Sequence, residues 1–276
     1  MRIFFTAIMI LALVSLAAQP ISKPIVLAQD QNIQTTYPIV PTNSVTTNSF
    51  TGGCWNGLDA SYIELNPLIG NDLDDGSSDL INLPFTFSYY GQSYNSLYIN
   101  INGNVTFGNK YSAYTASGFP SASVPAMIAP FWGDVDLRGT GAGSNKIYYK
   151  IESNRMSIIW TEVGYYNQKT DLINSFELLL TDGTDPNIGL GFNARFSYDD
   201  MNWCVGDASG GTNGFGTGKF ATVGAQSPGG TYFYQIGLFG TDNTDFDGAG
   251  GNLDGVHYLD GQCFTMDLSG INVPPI

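Results

Sequence analysis

Charged residues, histidine and helical patterns are all scarce in this sequence. Only 12% of its 276 residues are charged, a fraction that is low for a cytosolic enzyme. Nowhere do apolar residues recur at helical spacing over three turns, which excludes a helical fold. The chain instead contains 34 Gly, 16 Tyr and 17 Phe, a composition typical of aromatic-rich strands joined by many turns. We therefore predict an all-β fold, an antiparallel β-sandwich or distorted barrel with long Gly-rich loops.

Cysteine is also rare, and its spacing argues against a zinc site. Cys54, Cys204 and Cys263 lie far apart without a C-x-x-C pair, and His257 is the only histidine. In an oxidising compartment three cysteines favour one disulfide and one remaining thiol. The sequence leaves all three pairings open.

Basic residues are few, 10 against 24 acidic ones, and the formal net charge is −14. Such a balance repels nucleic acid and anionic membranes, so neither is expected as a partner. It suits an extracellular protein that binds cations. It is equally consistent with acidic residues that only keep a Gly-rich β-protein soluble.

Long hydrophobic runs are absent beyond the N-terminus. The apolar run from Ile3 to Ala18 is shorter than the about 20 residues of a membrane span, so we predict a signal peptide over residues 1–28, with an uncleaved anchor as the alternative. Residues 29–50 are polar and are predicted to form a flexible leader, followed by one β-domain over residues 51–270 and a tail over 271–276. We expect a secreted protein without a transmembrane segment in its mature form.

Period-two alternation identifies the strands. Phe85 and Phe87 alternate with Thr86 and Ser88 within residues 83–89, and we expect this strand to pair with residues 96–101. The sequence Ile101-Asn-Gly-Asn104 predicts a type I′ or related hairpin turn, and residues 111–125 read as a long surface loop. Further strands are predicted at residues 62–65, 105–107, 127–132, 146–151, 156–163, 176–180, 190–196, 220–223, 232–238 and 263–268.

Asp134 and Asp136 follow the apolar run that ends at Trp132. Alternation places both carboxylates on one face, about 7 Å apart. They are candidates for a cation, for a glycosidase acid and base, or for a simple ion pair with Arg138 or Arg195. The ion pair is the default interpretation.

Two acidic loops are candidate Ca²⁺ sites. They contain Asp72, Asp74 and Asp75 before Gly76, and Asp242, Asp245 and Asp247 before Gly248. Closely spaced oxygens followed by a glycine turn are suited to Ca²⁺, although neither loop has the closing Glu of an EF-hand. Asx turns satisfied by their own backbone explain both loops equally well.

The sequence Gly206-Asp-Ala-Ser-Gly-Gly211 is similar to the serine motif of chymotrypsin-like proteases. The single histidine lies after Ser209, and Ala208 changes the spacing, so a catalytic triad is not expected. In the structural interpretation, Asp207 and Ser209 hydrogen-bond the backbone of a Gly-rich loop.

Aromatic residues offer a weak signal for carbohydrate binding. Trp132, Trp160 and Trp203 are more consistent with a β-sandwich core. Tyr165 and Tyr166 are the better candidates for an exposed platform, because the polar sequence Asn167-Gln-Lys-Thr170 follows them.

A set of short phrases in fixed order resembles the nidogen-type extracellular domain (NIDO). The phrases are Tyr90-Gly91, Tyr98-Ile-Asn100, Asn102-Gly-Asn-Val-Thr-Phe-Gly108, Ala129-Pro-Phe-Trp132, Asp134-Val-Asp136, Gly164-Tyr-Tyr166, Asn174-Ser-Phe-Glu177 and Gly206 to Gly211. Asp74-Asp-Gly-Ser77 resembles the start of that domain in bacterial versions, and the resemblance extends to about Asp267. It implies a non-catalytic extracellular module, here in a single-domain secreted version, associated with cell–matrix adhesion.

We therefore expect an adhesion or matrix component, not an enzyme, that contacts an extracellular protein or glycan through its surface loops. Tyr165, Tyr166, Asp134, Asp136, Asp207 and Ser209 are the candidate contact residues. The alternatives are a Ca²⁺-dependent carbohydrate-binding module and, less favoured, a hydrolase that uses Asp134 and Asp136. No cofactor is expected with certainty; Ca²⁺ is the only candidate.

Overall fold

The computed structural model describes residues 54–66, 70, 72–216, 218–239 and 255–270. These residues form twelve strands: β1 (Ile63–Glu64), β2 (Ile81–Tyr89), β3 (Gln92–Asn100), β4 (Asn104–Thr106), β5 (Met127–Trp132), β6 (Lys146–Ile151), β7 (Arg155–Tyr165), β8 (Lys169–Thr181), β9 (Ala194–Met201), β10 (Ala221–Gln226), β11 (Phe233–Phe239) and β12 (Cys263–Met266). Short 3₁₀ turns occur at Asp207–Ser209, Pro228–Gly230 and Gly255–Leu259. The predicted signal peptide (1–28), leader (29–50) and tail (271–276) lie outside the described residues.

The strands form two antiparallel sheets of six strands each. The first sheet has the order β1-β6-β7-β8-β9-β12, and the second has the order β11-β10-β5-β4-β3-β2. Neither sheet closes into a barrel, so the predicted sandwich is confirmed and the barrel alternative is not. A continuous apolar core lies between the sheets and contains Trp160 and Trp203, both fully buried.

Strand β2 shows why the alternation of apolar and polar residues predicted a strand. Its burial alternates strictly along all nine residues, with Phe85 and Phe87 inside and Thr86 and Ser88 outside, as predicted. It pairs with β3, also as predicted. Because successive side chains in a strand point to opposite faces, one apolar face is sufficient to attach β2 to the core.

Aromatic contacts join the two sheets. The Phe131 ring of β5 lies 5.4 Å from the Phe176 ring of β8, and Phe176 stacks on Trp160 at 5.1 Å. Phe131 also meets Trp203 edge-on at 5.4 Å. Offset and edge-to-face pairs of this kind add to the stability gained from burial.

Residues 111–125 form a strap across the outer face of the second sheet. Because Trp132 follows Phe131 in β5, it faces outward, where it forms a second apolar cluster with Phe119 and Val124 of this strap. The Trp132 indole donates to the Ala113 carbonyl at 2.8 Å. The segment is irregular, as predicted for a long surface loop, but Ala116, Phe119 and Val124 are buried, so part of it is packed against the sheet.

A second strap, residues 54–62, crosses the outer face of the first sheet. Asn56 donates to both carboxylate oxygens of Glu177 in β8, at 3.1 Å each. Glu177 faces outward because its neighbours along the strand belong to the core. A disulfide between Cys54 and Cys263 attaches this strap to β12, and Cys204 stays a buried thiol. Of the three pairings that the sequence left open, the structure therefore contains Cys54–Cys263.

Candidate functional site

Three chain segments meet at one end of the sandwich and place an excess of acidic side chains together. The Ile101 amide donates to the Gly76 carbonyl at 3.0 Å, and the Gly133 amide donates to the Asn102 carbonyl at 3.3 Å. The Leu137 amide donates to the Leu73 carbonyl at 2.8 Å. We call the resulting group the acidic junction, which consists of Asp74, Asp75, Asn102, Asp134, Asp136 and Arg138.

Asp136 is the structural anchor of the acidic junction. Its side chain is fully buried, and its two oxygens accept from Nε and Nη2 of Arg138 at 2.9 and 2.6 Å. The Gln168 amide donates to the same carboxylate at 2.8 Å. Arg138 also reaches Asp74 Oδ2 at 2.8 Å. The ion pair expected between Asp136 and Arg138 is thus confirmed, and a two-point Arg–carboxylate geometry is among the strongest available to the pair.

Asp134 has a different environment. It is 2% exposed and lies against Gly206, where a Cβ would come within 2.2 Å of its carboxylate. Burial, followed by the nearby charges of Asp75 and Asp74, raises the pKa of Asp134 to about 8. Burial and Asp136 likewise raise the pKa of Asp74 to about 6. The junction therefore contains four carboxylates and one arginine, which pairs with Asp136 and Asp74 only.

The aspartates of the first acidic loop turn in different directions. Asp72 is exposed and accepts from the Asp75 amide at 3.2 Å, whereas Asp75 accepts from the Asn102 side chain at 2.8 Å. Within the described ranges, no three Asp, Glu, His or Cys side chains converge as a metal site. Asp242, Asp245 and Asp247 lie outside those ranges, so Ca²⁺ binding at either loop stays a prediction.

The Gly206–Gly211 segment packs beside the acidic junction. Asp207–Ser209 form one 3₁₀ turn, in which Asp207 pairs with Lys169 at 2.6 Å and Ser209 shares a hydrogen bond with Thr115 at 3.1 Å. His257 lies 3.6 Å from Asp260. The serine therefore interacts with a hydroxyl group, not with the base that a nucleophilic serine requires.

A sequence model described as NIDO related matches residues 46–235, which is more than half of the chain. The chain belongs to the NIDO-related family. The acidic junction and the Gly206–Gly211 segment lie inside the matched residues, whereas Cys263 lies beyond them. The resemblance drawn from the ordered phrases is confirmed.

Curated relatives contain the NIDO-related region as a small part of long chains. Alpha-tectorin of Gallus gallus is 31% identical over 162 residues, which cover 50% of this chain and 7% of that protein. Alpha-tectorin of Homo sapiens is 30% identical over 195 residues, covering 59% of this chain and 8% of that protein. Nidogen of Drosophila melanogaster is 28% identical over 162 residues, covering 49% and 12%. Alpha-tectorin and nidogen are extracellular matrix proteins. No solved structure matches significantly.

Tyr165, predicted to be exposed, is instead fully buried in the NIDO-related domain. Its ring packs on Trp203 at 5.6 Å, and its hydroxyl donates to Asp171 at 3.0 Å. Tyr166 is half-buried. The exposure prediction for Tyr165 was wrong because β7 continues to this residue and directs its side chain into the core. Trp132, Trp160 and Trp203 are fully buried, as their structural interpretation required.

A polar cavity under the 54–62 strap was not identified from the sequence. Its volume is about 440 Å³, and its lining includes Tyr62, Lys150, Arg155 and Arg195. Arg195 lies 3.8 Å from Glu177, and both are buried. Burial raises the pKa of Glu177 and lowers that of Arg195, while each opposes the shift of the other. Local sequence patterns do not indicate this cavity, because the strap that covers it is distant along the chain from Lys150, Arg155 and Arg195.

Among the described residues, no helix is long and apolar enough to cross a membrane.

Proposed function

We propose that this NIDO-related domain is an exported, non-catalytic module of the extracellular matrix that acts in adhesion through contacts of its surface loops. The observation that carries the proposal is the family match over residues 46–235, shared with relatives that are matrix proteins. The apolar N-terminal run supports export. The partner is an extracellular protein or glycan.

The geometry of the acidic residues supports a non-catalytic role. A glycosidase needs one carboxylic acid and one carboxylate that both reach a bound substrate. Asp134 is 2% exposed, and Asp136 is fully buried with both oxygens engaged by Arg138. These two residues are arranged to hold a loop junction and not to reach a substrate.

The contact surface that we propose is the end of the sandwich above the acidic junction. Residues 166–168 join β7 to β8 at this end, and the Gly206–Gly211 segment is attached to it through the Lys169–Asp207 ion pair. Asp72, Asn167, Thr212 and Asn213 are exposed there. Loops fixed on a rigid sheet are a common location for recognition.

Binding of the exported chain to immobilised extracellular matrix proteins and matrix glycans tests the proposal. We expect saturable binding to a member of the panel, weakened at least about tenfold, a loss of about 1.4 kcal/mol, by Asn167→Arg or Thr212→Arg, since an arginine at a contact surface removes complementarity. Ser153→Arg is the matched control. Ser153 is exposed in the turn that precedes β7, at the opposite end of that strand.

Two results would contradict the proposal. One is the absence of binding across the panel by a folded protein. The other is turnover of a glycan or peptide substrate that is lost in the Asp134→Asn, Asp136→Asn double variant.

A second candidate is a carbohydrate-binding module, which the polar cavity favours. Its lining combines Tyr62 with amide side chains from Asn56 and Asn187, the residue types that hydrogen-bond sugars. Glycan arrays with and without EGTA separate the two candidates. Binding of a sugar that Tyr62→Ala abolishes and Asn167→Arg leaves intact would favour the cavity.

A further inference from the structure

Three buried oxygens of the acidic junction accept no hydrogen bond from any described residue. They are Asp74 Oδ1, Asn102 Oδ1 and Asp134 Oδ2. Two of them belong to side chains that are almost completely buried, because Asn102 is 1% exposed and Asp134 is 2% exposed. Buried acceptors without a partner are rare and require an explanation. We propose that one Ca²⁺ ion binds Asp74, Asn102 and Asp134 at this junction.

The fold brings the three donors together from distant parts of the chain. The Asn102 side chain donates to Asp75 at 2.8 Å, which places its amide beside the loop that carries Asp74. The Gly133 amide donates to the Asn102 carbonyl, which places Asp134 next to the same turn. The Tyr166 amide then fixes the Asp134 carbonyl at 3.1 Å. The donors are therefore held by backbone hydrogen bonds and not by one flexible loop.

The charge balance of the junction also favours a cation. Arg138 engages both oxygens of Asp136 and one oxygen of Asp74. It leaves Asp134 and the second oxygen of Asp74 without a positive partner. A divalent ion supplies the missing counter-charge.

The donor types select Ca²⁺ among the common metals. All three are oxygens, two from carboxylates and one from an amide, and Ca²⁺ accepts this mixture in irregular geometry with backbone and water oxygens. Zinc prefers nitrogen and sulfur ligands, and Mg²⁺ requires a tighter octahedral arrangement. A site with two carboxylates needs no third acidic side chain. Asp72 is not among the proposed donors, because its side chain is exposed and already accepts from the Asp75 amide.

Bound Ca²⁺ would connect the 72–78 loop, the 101–104 turn and the 133–138 segment. These segments lie beneath the contact surface proposed above. The site is independent of that proposal, because Ca²⁺ binding is measured without a matrix partner. Failure of one test leaves the other unaffected.

Calorimetric titration of the EGTA-treated full chain with CaCl₂, together with thermal unfolding in Ca²⁺ and in EGTA, tests the site. For the wild type, we expect one Ca²⁺ ion to bind per chain at this junction. We also expect an increase in Tm of about 5–10 °C when free Ca²⁺ is 100 times Kd, because a ligand that binds only the folded state stabilises it. Asp134→Asn should abolish the binding of this Ca²⁺ ion, or raise its Kd at least about tenfold.

Asp72→Asn is the matched control, since it removes the same charge from the neighbouring loop position without removing a proposed donor. Its Kd should stay within about threefold of the wild type. A triple variant with Asn in place of Asp242, Asp245 and Asp247 shows whether a second Ca²⁺ ion binds the other acidic loop. Binding of one Ca²⁺ ion at the acidic junction should persist in this variant. If Asp134→Asn does not fold, Asp74→Asn replaces it, because Asp74 is partly exposed. A wild type that shows neither heat nor a Tm shift overturns the site. So does an Asp134→Asn variant that binds Ca²⁺ like the wild type.

Discussion

The Asn-Gly-Asn turn shows how single residues fix this end of the sandwich. Asn100 and Asn104 are fully buried, and the Asn100 side chain donates to Asn104 at 2.7 Å and accepts from the Ser77 hydroxyl at 2.6 Å. Such a network is stable only when every member is paired. The phrase that carries the family resemblance is therefore explained by internal hydrogen bonding as well as by turn geometry.

Gly103 tolerates no side chain, and Gly108 provides the comparison. Both have positive φ, +73° and +92°, but a Cβ at Gly103 would lie 1.8 Å from the Phe131 carbonyl oxygen, whereas a Cβ at Gly108 meets nothing within 4 Å. Gly108→Ala should cost about 1–2 kcal/mol of unfolding free energy through backbone strain alone. Gly103→Ala should cost about 3 kcal/mol more, because the backbones of β5 and the turn must separate.

Urea unfolding of both glycine variants measures the difference. Equal losses for Gly103→Ala and Gly108→Ala would show that the close approach to Phe131 is relieved at little cost.

Among the secondary-structure elements, most strands could be predicted from the sequence, because apolar residues at every second position place one face of the strand against the core. The boundaries of β5 and β6 coincide with the predicted ones. Strand β9 begins later than predicted, at Ala194, because Gly189 and Gly191 adopt φ of +96° and +88° and break the extended run. Strand β8 begins earlier, at Lys169, because polar residues such as Asn174 are buried and hide the alternation.

The hairpin at 101–104 was predicted correctly, but its turn is not type I′. That type requires positive φ at both central residues, and only Gly103 has it here. The Gly103 amide donates to the Ile101 carbonyl at 2.6 Å, which makes a tighter turn. The close packing of this turn on β5, a long-range contact that the local sequence does not contain, selects the geometry.

The 111–125 strap depends on one side chain of β10. Gln226 is fully buried, donates to the carbonyls of Ser121 and Val124 at 3.0 and 2.9 Å, and accepts from the Ser121 amide at 2.9 Å. Gln226→Met keeps the volume but leaves these backbone groups unpaired. We expect a loss of about 2–4 kcal/mol in unfolding free energy.

Limited proteolysis should also cut the strap faster in Gln226→Met, because a detached strap exposes its backbone. Gln92→Met, at an exposed position of β3, is the control and should stay within about 0.5 kcal/mol of the wild type. Identical proteolysis rates for the two variants would show that the apolar cluster around Trp132 holds the strap alone.

On the scale of the whole molecule, the candidate site was only partly predictable. The sequence identified Asp74, Asp134 and Asp136 individually as acidic candidates. It did not show that Asn102 joins them, since that requires the 72–78 loop and the segment after β5 to meet beside one turn. The polar cavity and the cover over Glu177 have the same origin, a strap that returns across the first sheet from residue 54. Contacts of this kind depend on topology and are invisible to local patterns.

The Cys54–Cys263 disulfide links the strap covalently to the first sheet. It spans 209 positions of sequence and attaches the 54–62 strap to β12, one of the two edge strands of the first sheet. In the chain-entropy account, closing a loop of that length stabilises the folded state by about 5 kcal/mol. The double variant Cys54→Ser, Cys263→Ser should therefore unfold about 10–20 °C below the oxidised wild type.

Thermal unfolding with and without a reducing agent distinguishes the pairing from a general effect of cysteine removal. The reductant should lower the Tm of the wild type to that of the double variant and leave the double variant unchanged. Cys204→Ala should keep the full reductant response, because the buried Cys204 thiol is not part of the bond. Loss of that response in Cys204→Ala would mean that Cys204 forms the disulfide in solution. The attachment of the strap to the first sheet would then have to be assigned to the contacts of Asn56 with Glu177 in β8 and of Asp59 with Lys150 in β6.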